Sequence, residues 1–122
     1  MRRVALLLLL AAPVAAAPLP EPRPLPDPLV IAGGGTIPDA VRKTFVDLAG
    51  GPTAKIVIVP TASEAADDAA KADSFLAPWQ ALTPASVTLL HTRDRKTADD
   101  PAFSKALDDA TGLWFAGGDQ EK

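Results

Sequence analysis

Residues 55–60 read KIVIVP, a nearly uninterrupted β-branched run that predicts a strand buried on both faces of a sheet. Shorter apolar runs predict three more strands, at residues 29–32, 86–90 and 113–116. Helical patterns separate these runs. The first follows Thr36 and extends to Leu48, the second runs from about Ser63 to Leu82, and the third starts at Asp99 or Asp100 and ends before Gly112. Alternating strands and helices predict an α/β domain, with a parallel sheet and helices flanking it.

Start and stop signals define the predicted helices more closely. Thr36 is a predicted N-cap for the first helix, which Gly50-Gly51-Pro52 should end. Ser63 is expected to cap the second helix, and Pro78 to bend or end it. The helix at Asp99 or Asp100 has Pro101 in its first turn, where proline is tolerated.

The front of the chain differs in composition from the rest. The chain has 122 residues and 13 prolines, and the prolines crowd the first 28 positions. A cationic start, an apolar run from Val4 to Ala12 and small residues after it predict a signal peptide over residues 1–17, with cleavage after Ala16. The apolar run is too short for a membrane anchor. Residues 18–28, with proline at every second position, predict a stiff polyproline II spacer before a domain over residues 29–122.

Charge and residue usage exclude several classes of function. A net charge of −3 with scattered basic residues disfavours nucleic-acid binding. Without cysteine, the chain has no disulfide, thiolate metal site or cysteine nucleophile, and a single histidine, His91, excludes a multi-histidine zinc site. We therefore expect no metal and no cofactor, and an exported product that is periplasmic or extracellular.

Ligands of parallel sheets bind beyond the carboxyl ends of the strands, so four loops are expected to carry any chemistry. The triple glycine at 33–35 invites a dinucleotide-binding interpretation, but Pro38 stands where that fingerprint needs glycine or alanine. A turn that needs positive φ, above all at Gly33, is the alternative. Ser63 fits a helix cap better than a nucleophile, and His91 has no obvious partner serine.

The loop Gly117-Gly118-Asp119-Gln120 is the most informative of the four. Two glycines let the backbone approach a ligand, their N–H groups can face a developing oxyanion, and the Gln120 amide can donate and accept. An ordinary β-to-α turn with Asp119 as helix cap explains the same residues. The residues alone leave both interpretations open.

The order of motifs resembles the N-terminal half of cyanophycinase. The motifs are LVIAGGG (29–35), FxxLAGG (45–51), IVIVPTAS (56–63) and GLWFAGGDQ (112–120), and together they span nearly all of residues 29–120. The resemblance implies a class I glutamine-amidotransferase-like fold. It also implies a serine peptidase that cuts β-aspartyl-arginine units of cyanophycin or related β-linked acidic peptides.

By the same resemblance, Gln120 would bind substrate and the Gly118-Asp119 backbone would lie beside the oxyanion hole. Gly117, Gly34 and Gly35 complete the expected substrate-binding set. The family's nucleophilic serine and catalytic histidine follow the Gly-Gly-Asp-Gln loop, so we expect both beyond Lys122 and an inactive chain as it stands.

Two alternatives stay open. One is a secreted, non-catalytic peptide-binding module that keeps the glycine-lined cleft, and the other is a nucleotide-binding α/β domain. A peptide is the expected partner, with no nucleic acid and no stable membrane anchor. A homodimer of the full-length enzyme is left open.

Overall fold

A three-stranded parallel sheet forms the centre of the computed structural model, which describes residues 26–118. The strands are β1 (Lys55–Val59), β2 (Ser86–Leu89) and β3 (Gly112–Phe115), in the order β2-β1-β3. Ile58 of β1 lies opposite Leu89 on one side and Trp114 on the other. The predicted α/β class with a parallel sheet is confirmed. The predicted signal peptide and residues 18–25 of the spacer lie outside the described residues.

In the described part of the chain, four α-helices flank the sheet: α1 (Asp39–Leu48), α2 (Ala72–Gln80), α3 (Arg95–Ala98) and α4 (Pro101–Ser104). Short 3₁₀ turns cover Gly51–Thr53, Glu64–Asp67, Ala69–Lys71 and Lys105–Leu107. The sequence patterns predict α1, α2 and α4, whereas the single turn of α3 is found in the structure alone. Within residues 26–118, every helix is too short or too polar to cross a bilayer.

The hydrophobic core lies on one face of the sheet, under α1 and α2. Ile56, Ile58 and Trp114 point into it from the strands, and Val46 and Trp79 from the helices. The ring of Phe45 meets Trp79 and Trp114 edge-on, with centroid separations of 5.5 and 5.2 Å. Such edge-to-face aromatic packing adds to apolar burial and fixes both helices on the same face.

Helix α1 begins later than its predicted cap. Pro38 occupies the N-cap position in an extended conformation, and no side chain caps the helix. The prediction of Thr36 as N-cap is therefore wrong, because the fixed φ of Pro38 starts the helix two residues further on. The left-handed Gly50 (φ 118°) follows the helix end, as the glycine pair predicts. Leu48, the last residue of the helix, is 52% exposed.

The segment after β1 is less helical than its alanine-rich sequence suggests. Ser63 accepts a hydrogen bond from the Ala65 N–H, which confirms it as a cap, although of a 3₁₀ turn. The Asp68 carboxylate then accepts from the Ala70 N–H and starts a second turn. Aspartate competes in this way with helical hydrogen bonding, so α2 starts at Ala72. Pro78 lies inside α2 without ending it.

Residues 29–32 form no strand, and this prediction is wrong. Leu29 is 66% and Ile31 83% exposed. Strand β1 is already paired with β2 on one edge and β3 on the other, so a fourth strand could pair only with an outer edge of the sheet, and residues 29–32 do not do so. Residues 27–32 instead border a cavity of about 690 Å³ that extends along β3 and the end of α1. The positive φ of the following turn is at Gly35 (98°), not at Gly33.

Candidate functional site

Three loops meet at the carboxyl edge of the sheet, after β1, β2 and β3. Backbone hydrogen bonds keep their starting points side by side, because Leu90 N–H donates to the Ile58 carbonyl at 2.8 Å and Ala116 N–H to the Val59 carbonyl at 3.0 Å. Such an edge is where ligands of parallel α/β sheets bind. The three loops therefore form the candidate site.

The loop after β3 packs directly on the loop after β1. At Gly118, an added Cβ would overlap the backbone carbonyl of Ala62 and press on the Ser63 nitrogen. Backbone atoms cannot move aside as a flexible side chain can, so this contact requires glycine. At Gly117, an added Cβ would meet no atom within 4 Å.

His91 joins the loop after β2 to the loop after β1. Its Nδ1 lies 3.1 Å from the Thr61 hydroxyl oxygen, and its Nε2 lies 3.1 Å from Oδ1 of Asp67. The His91 side chain is 13% exposed, whereas that of Asp67 is 52% exposed. The imidazole is thus held between a hydroxyl and a carboxylate, with the carboxylate open to water.

Arg93 completes the cluster by bonding to the same carboxylate and to the backbone. Its Nε lies 2.8 Å from both carboxylate oxygens of Asp67. Its two terminal nitrogens donate to the carbonyls of Thr61 at 3.0 Å and Ser63 at 3.1 Å. One guanidinium therefore ties the start of the loop after β1 to the 3₁₀ turn that carries Asp67. We call Thr61, Asp67, His91 and Arg93 the polar cluster.

The ionised carboxylate of Asp67 determines which ring nitrogen of neutral His91 carries the proton. The hydrogen bond from Arg93, followed by the bond from His91, lowers the pKa of Asp67 below its ordinary value of 3.8. The same contact with Asp67 raises the pKa of Arg93. An ionised carboxylate accepts hydrogen bonds and cannot donate, so the proton of neutral His91 lies on Nε2. Nδ1 is then an acceptor, and the Thr61 hydroxyl donates to it.

Asp94 stabilises the loop after β2 from its far end. Its carboxylate accepts from the Thr97 hydroxyl and the Thr97 N–H, both at 2.7 Å, and so caps α3. These bonds, the hydroxyl bond first, lower the pKa of Asp94. Asp94 N–H in turn donates to the Thr92 hydroxyl at 3.1 Å. The loop that carries His91 and Arg93 is therefore held at both ends.

The arrangement offers an oriented hydroxyl, an imidazole acceptor and an exposed charged pair, which suits polar ligands and proton transfer. Among residues 26–118, no group of three or more histidine, cysteine, aspartate or glutamate side chains is placed to hold a metal ion.

The predicted substrate-binding residues have different positions. Gly117 and Gly118 lie in the candidate site, while Asp119 and Gln120 lie outside the described residues. Gly34 and Gly35 are exposed, and a Cβ at either would meet no atom within 4 Å. Their turn follows no strand, so the strand-turn-helix context of a dinucleotide fingerprint is absent at residues 29–39.

The sequence interpretation missed most of the polar cluster. The sequence offers His91 no obvious partner serine, and in the structure its partners are a threonine and an aspartate. A signal for the cluster exists in the sequence, because Thr61 and His91 each follow a predicted strand. Parallel pairing of those strands, with Ile58 opposite Leu89, brings both ends to one edge.

No protein-family model, no curated protein and no solved structure matches this chain.

Proposed function

We propose that the chain is the N-terminal part of a secreted, cyanophycinase-like serine peptidase that hydrolyses β-aspartyl-arginine units or related β-linked acidic peptides. Its fold would be the class I glutamine-amidotransferase-like one, with nucleophilic serine and catalytic histidine supplied beyond Lys122. Residues 117–120 would bind the peptide, and the Gly118-Asp119 backbone would lie beside the oxyanion hole.

One contact carries this proposal. The resemblance depends most on two motifs, Pro-Thr-Ala-Ser at 60–63 and Gly-Gly-Asp-Gln at 117–120, which are far apart in sequence. Gly118 of the second packs on the Ala62 carbonyl of the first, with no room for a side chain. Two motifs of one substrate cleft are expected to meet in this way, at the edge where parallel sheets bind ligands.

Peptide binding by the full 122-residue chain tests the proposal. We expect β-aspartyl-arginine dipeptide to shift the amide NMR signals of Thr61, Gly117 and Gly118, and the α-linked dipeptide to shift them less. Gln120→Ala should weaken binding, whereas Gln80→Ala, an exposed glutamine on α2, should leave it unchanged. Absence of shifts at all three residues would contradict the proposal.

Hydrolysis provides the second test. The purified chain should release no β-aspartyl-arginine from cyanophycin, because the proposed nucleophile is not among its residues. Coding sequence beyond Lys122 should encode a serine between small residues within about 30 positions, the length of one βαβ unit. Cleavage of cyanophycin by the chain alone, or a continuation without such a serine, would overturn the peptidase assignment.

A further inference from the structure

The polar cluster has the connectivity of a hydroxyl-activating relay. Thr61 Oγ1 lies 3.1 Å from His91 Nδ1, and His91 Nε2 lies 3.1 Å from Asp67 Oδ1. A nucleophile bonded to a base, which a third group orients, is the general pattern of nucleophilic catalysis. We propose that Thr61 is a nucleophilic hydroxyl, activated by His91 and Asp67, that accepts an acyl group from small activated esters. This activity goes beyond the proposed peptidase and uses none of its expected catalytic residues.

The proton positions suit this chemistry. Because Asp67 is ionised and held by Arg93, the neutral form of His91 carries its proton on Nε2 and has a lone pair available at Nδ1. The Thr61 hydroxyl donates to that lone pair, so its own lone pairs point away from the imidazole. A hydroxyl bonded to a base in this way is ready to lose its proton as it attacks.

The acylation step balances in atoms and charge. The Thr61 oxygen attacks the ester carbonyl carbon, a C–O bond forms, and the hydroxyl proton passes to His91 Nδ1. The carbonyl electron pair moves to its oxygen and returns as the bond to the leaving alkoxide or phenoxide breaks. His91 gives its extra proton to that leaving group, and the products are O-acyl-Thr61 and an alcohol or phenol. Asp67 stabilises the transient imidazolium without taking a proton itself.

Arg93 acts as a positioning residue for the relay. It bonds to both oxygens of Asp67 at 2.8 Å and to the carbonyl of Thr61 itself at 3.0 Å. The orienting carboxylate and the backbone of the nucleophile are thereby fixed to one planar group. A relay held by such bonds needs little reorganisation when the reaction begins.

The surroundings of Thr61 limit the size of the acyl donor. Its neighbour Ala62 lies under the Gly118 backbone, and the imidazole of His91 is mostly buried. Thr61 itself is half-buried, so a small acyl group can reach its hydroxyl more easily than a large one. An aryl ester is far more activated than a peptide amide, so we expect this acylation even though we expect no cyanophycin hydrolysis by the same chain.

Acetylation by p-nitrophenyl acetate tests the relay on the full chain. We expect a burst of about one equivalent of nitrophenol, and peptide mapping by mass spectrometry should locate the acetyl group on Thr61. Thr61→Ala should abolish the burst and Thr61→Ser should keep it. Thr88→Ala, an exposed threonine on β2, should behave like the unmodified chain.

His91 variants separate catalysis from structure. His91→Ala should slow acetylation of Thr61 by about 10²- to 10⁴-fold, the usual contribution of a general base. Imidazole in solution should restore part of the rate, which a purely structural role would not allow. Acetylation confined to lysines and the N-terminus, or an unchanged rate at Thr61 in His91→Ala, would overturn the proposal. Neither result depends on the dipeptide titration that tests the peptidase.

Discussion

Gly118 lets the loop after β3 pack closely on the loop after β1 because it has no side chain. A Cβ at Gly118 would collide with the backbone carbonyl of Ala62. The neighbouring Gly117 has open space around the same position. Adjacent glycines of one loop therefore differ sharply in how much substitution they tolerate.

Gly118→Ala should lower the free energy of unfolding by about 1–3 kcal/mol, because the loop after β3 must move away from the loop after β1. Gly117→Ala, its matched control, should change it by less than about 0.5 kcal/mol. Urea unfolding followed by tryptophan fluorescence measures both. Equal effects of the two substitutions would mean that the loops are not in contact.

Asp67 links the polar cluster to pH. Its hydrogen bonds to Arg93 and then His91 lower its pKa below the ordinary 3.8. A carboxyl with a lowered folded-state pKa stabilises the fold above its unfolded pKa, and this stabilisation is lost as the pH falls through the folded-state value. The contribution is therefore complete at neutral pH, begins to fade at about pH 4, and is lost once the pH lies below the folded-state pKa.

Asp67→Asn should be less stable than the unmodified chain at pH 7, with the difference disappearing in strong acid. Unfolding midpoints measured from pH 7 down to pH 2 follow this difference. Arg93→Gln should cause a similar loss at pH 7, because it breaks the same pair, and the double variant should lose less than the two single losses added together. Strict additivity of the two losses would argue against a coupled pair.

At the scale of elements, a strand is predictable from the sequence where its local residue pattern agrees with its pairing in the sheet. Strand β1 is β-branched from Ile56 to Val59 and pairs on both edges, so sequence and structure coincide at Lys55–Val59. Residues 29–32 have a similar apolar pattern but remain unpaired. Strand formation there would require pairing with an outer edge of the sheet, and local sequence does not encode whether that pairing occurs.

The site, too, could be predicted only in part from local sequence patterns. Four loops are predicted to carry chemistry at the carboxyl edge, and the three that follow β1, β2 and β3 meet there. The polar cluster, however, depends on the 3₁₀ turn Glu64–Asp67, where the alanine-rich pattern predicts an α-helix. Side-chain caps at Ser63 and Asp68 override that propensity, and the resulting turn carries Asp67 to His91.

Substitutions in the unpaired segment 29–32, before α1, test whether it is buried as a strand or largely exposed. Val30 packs against the core, while Ile31 is 83% exposed. Val30→Asp should lower the free energy of unfolding by about 1–3 kcal/mol, and Ile31→Asp should change it by less than about 0.5 kcal/mol. If residues 29–32 instead formed a strand buried on both faces, both substitutions would be severely destabilising.

At the scale of the whole molecule, the front of the chain predicts export. We expect the leucine-rich run at 4–12 to direct secretion and cleavage after Ala16 to leave a product beginning at Ala17. N-terminal sequencing of the exported protein measures this directly. Leu8→Arg should block export by interrupting the apolar run, whereas Leu19→Arg in the spacer should not. Equal export of both variants would argue against a signal peptide.

The open edge of β3 determines how this polypeptide behaves when concentrated. Within residues 26–118, β3 pairs with β1 alone, and Phe115 and Ile31 are 69% and 83% exposed nearby. An uncovered strand edge with apolar neighbours is a template for intermolecular pairing, and charge repulsion is what opposes it. The net charge of −3 falls to zero near the isoelectric point of about 5.0. Solubility of the isolated chain should therefore pass through a minimum near that pH and improve in more alkaline buffers.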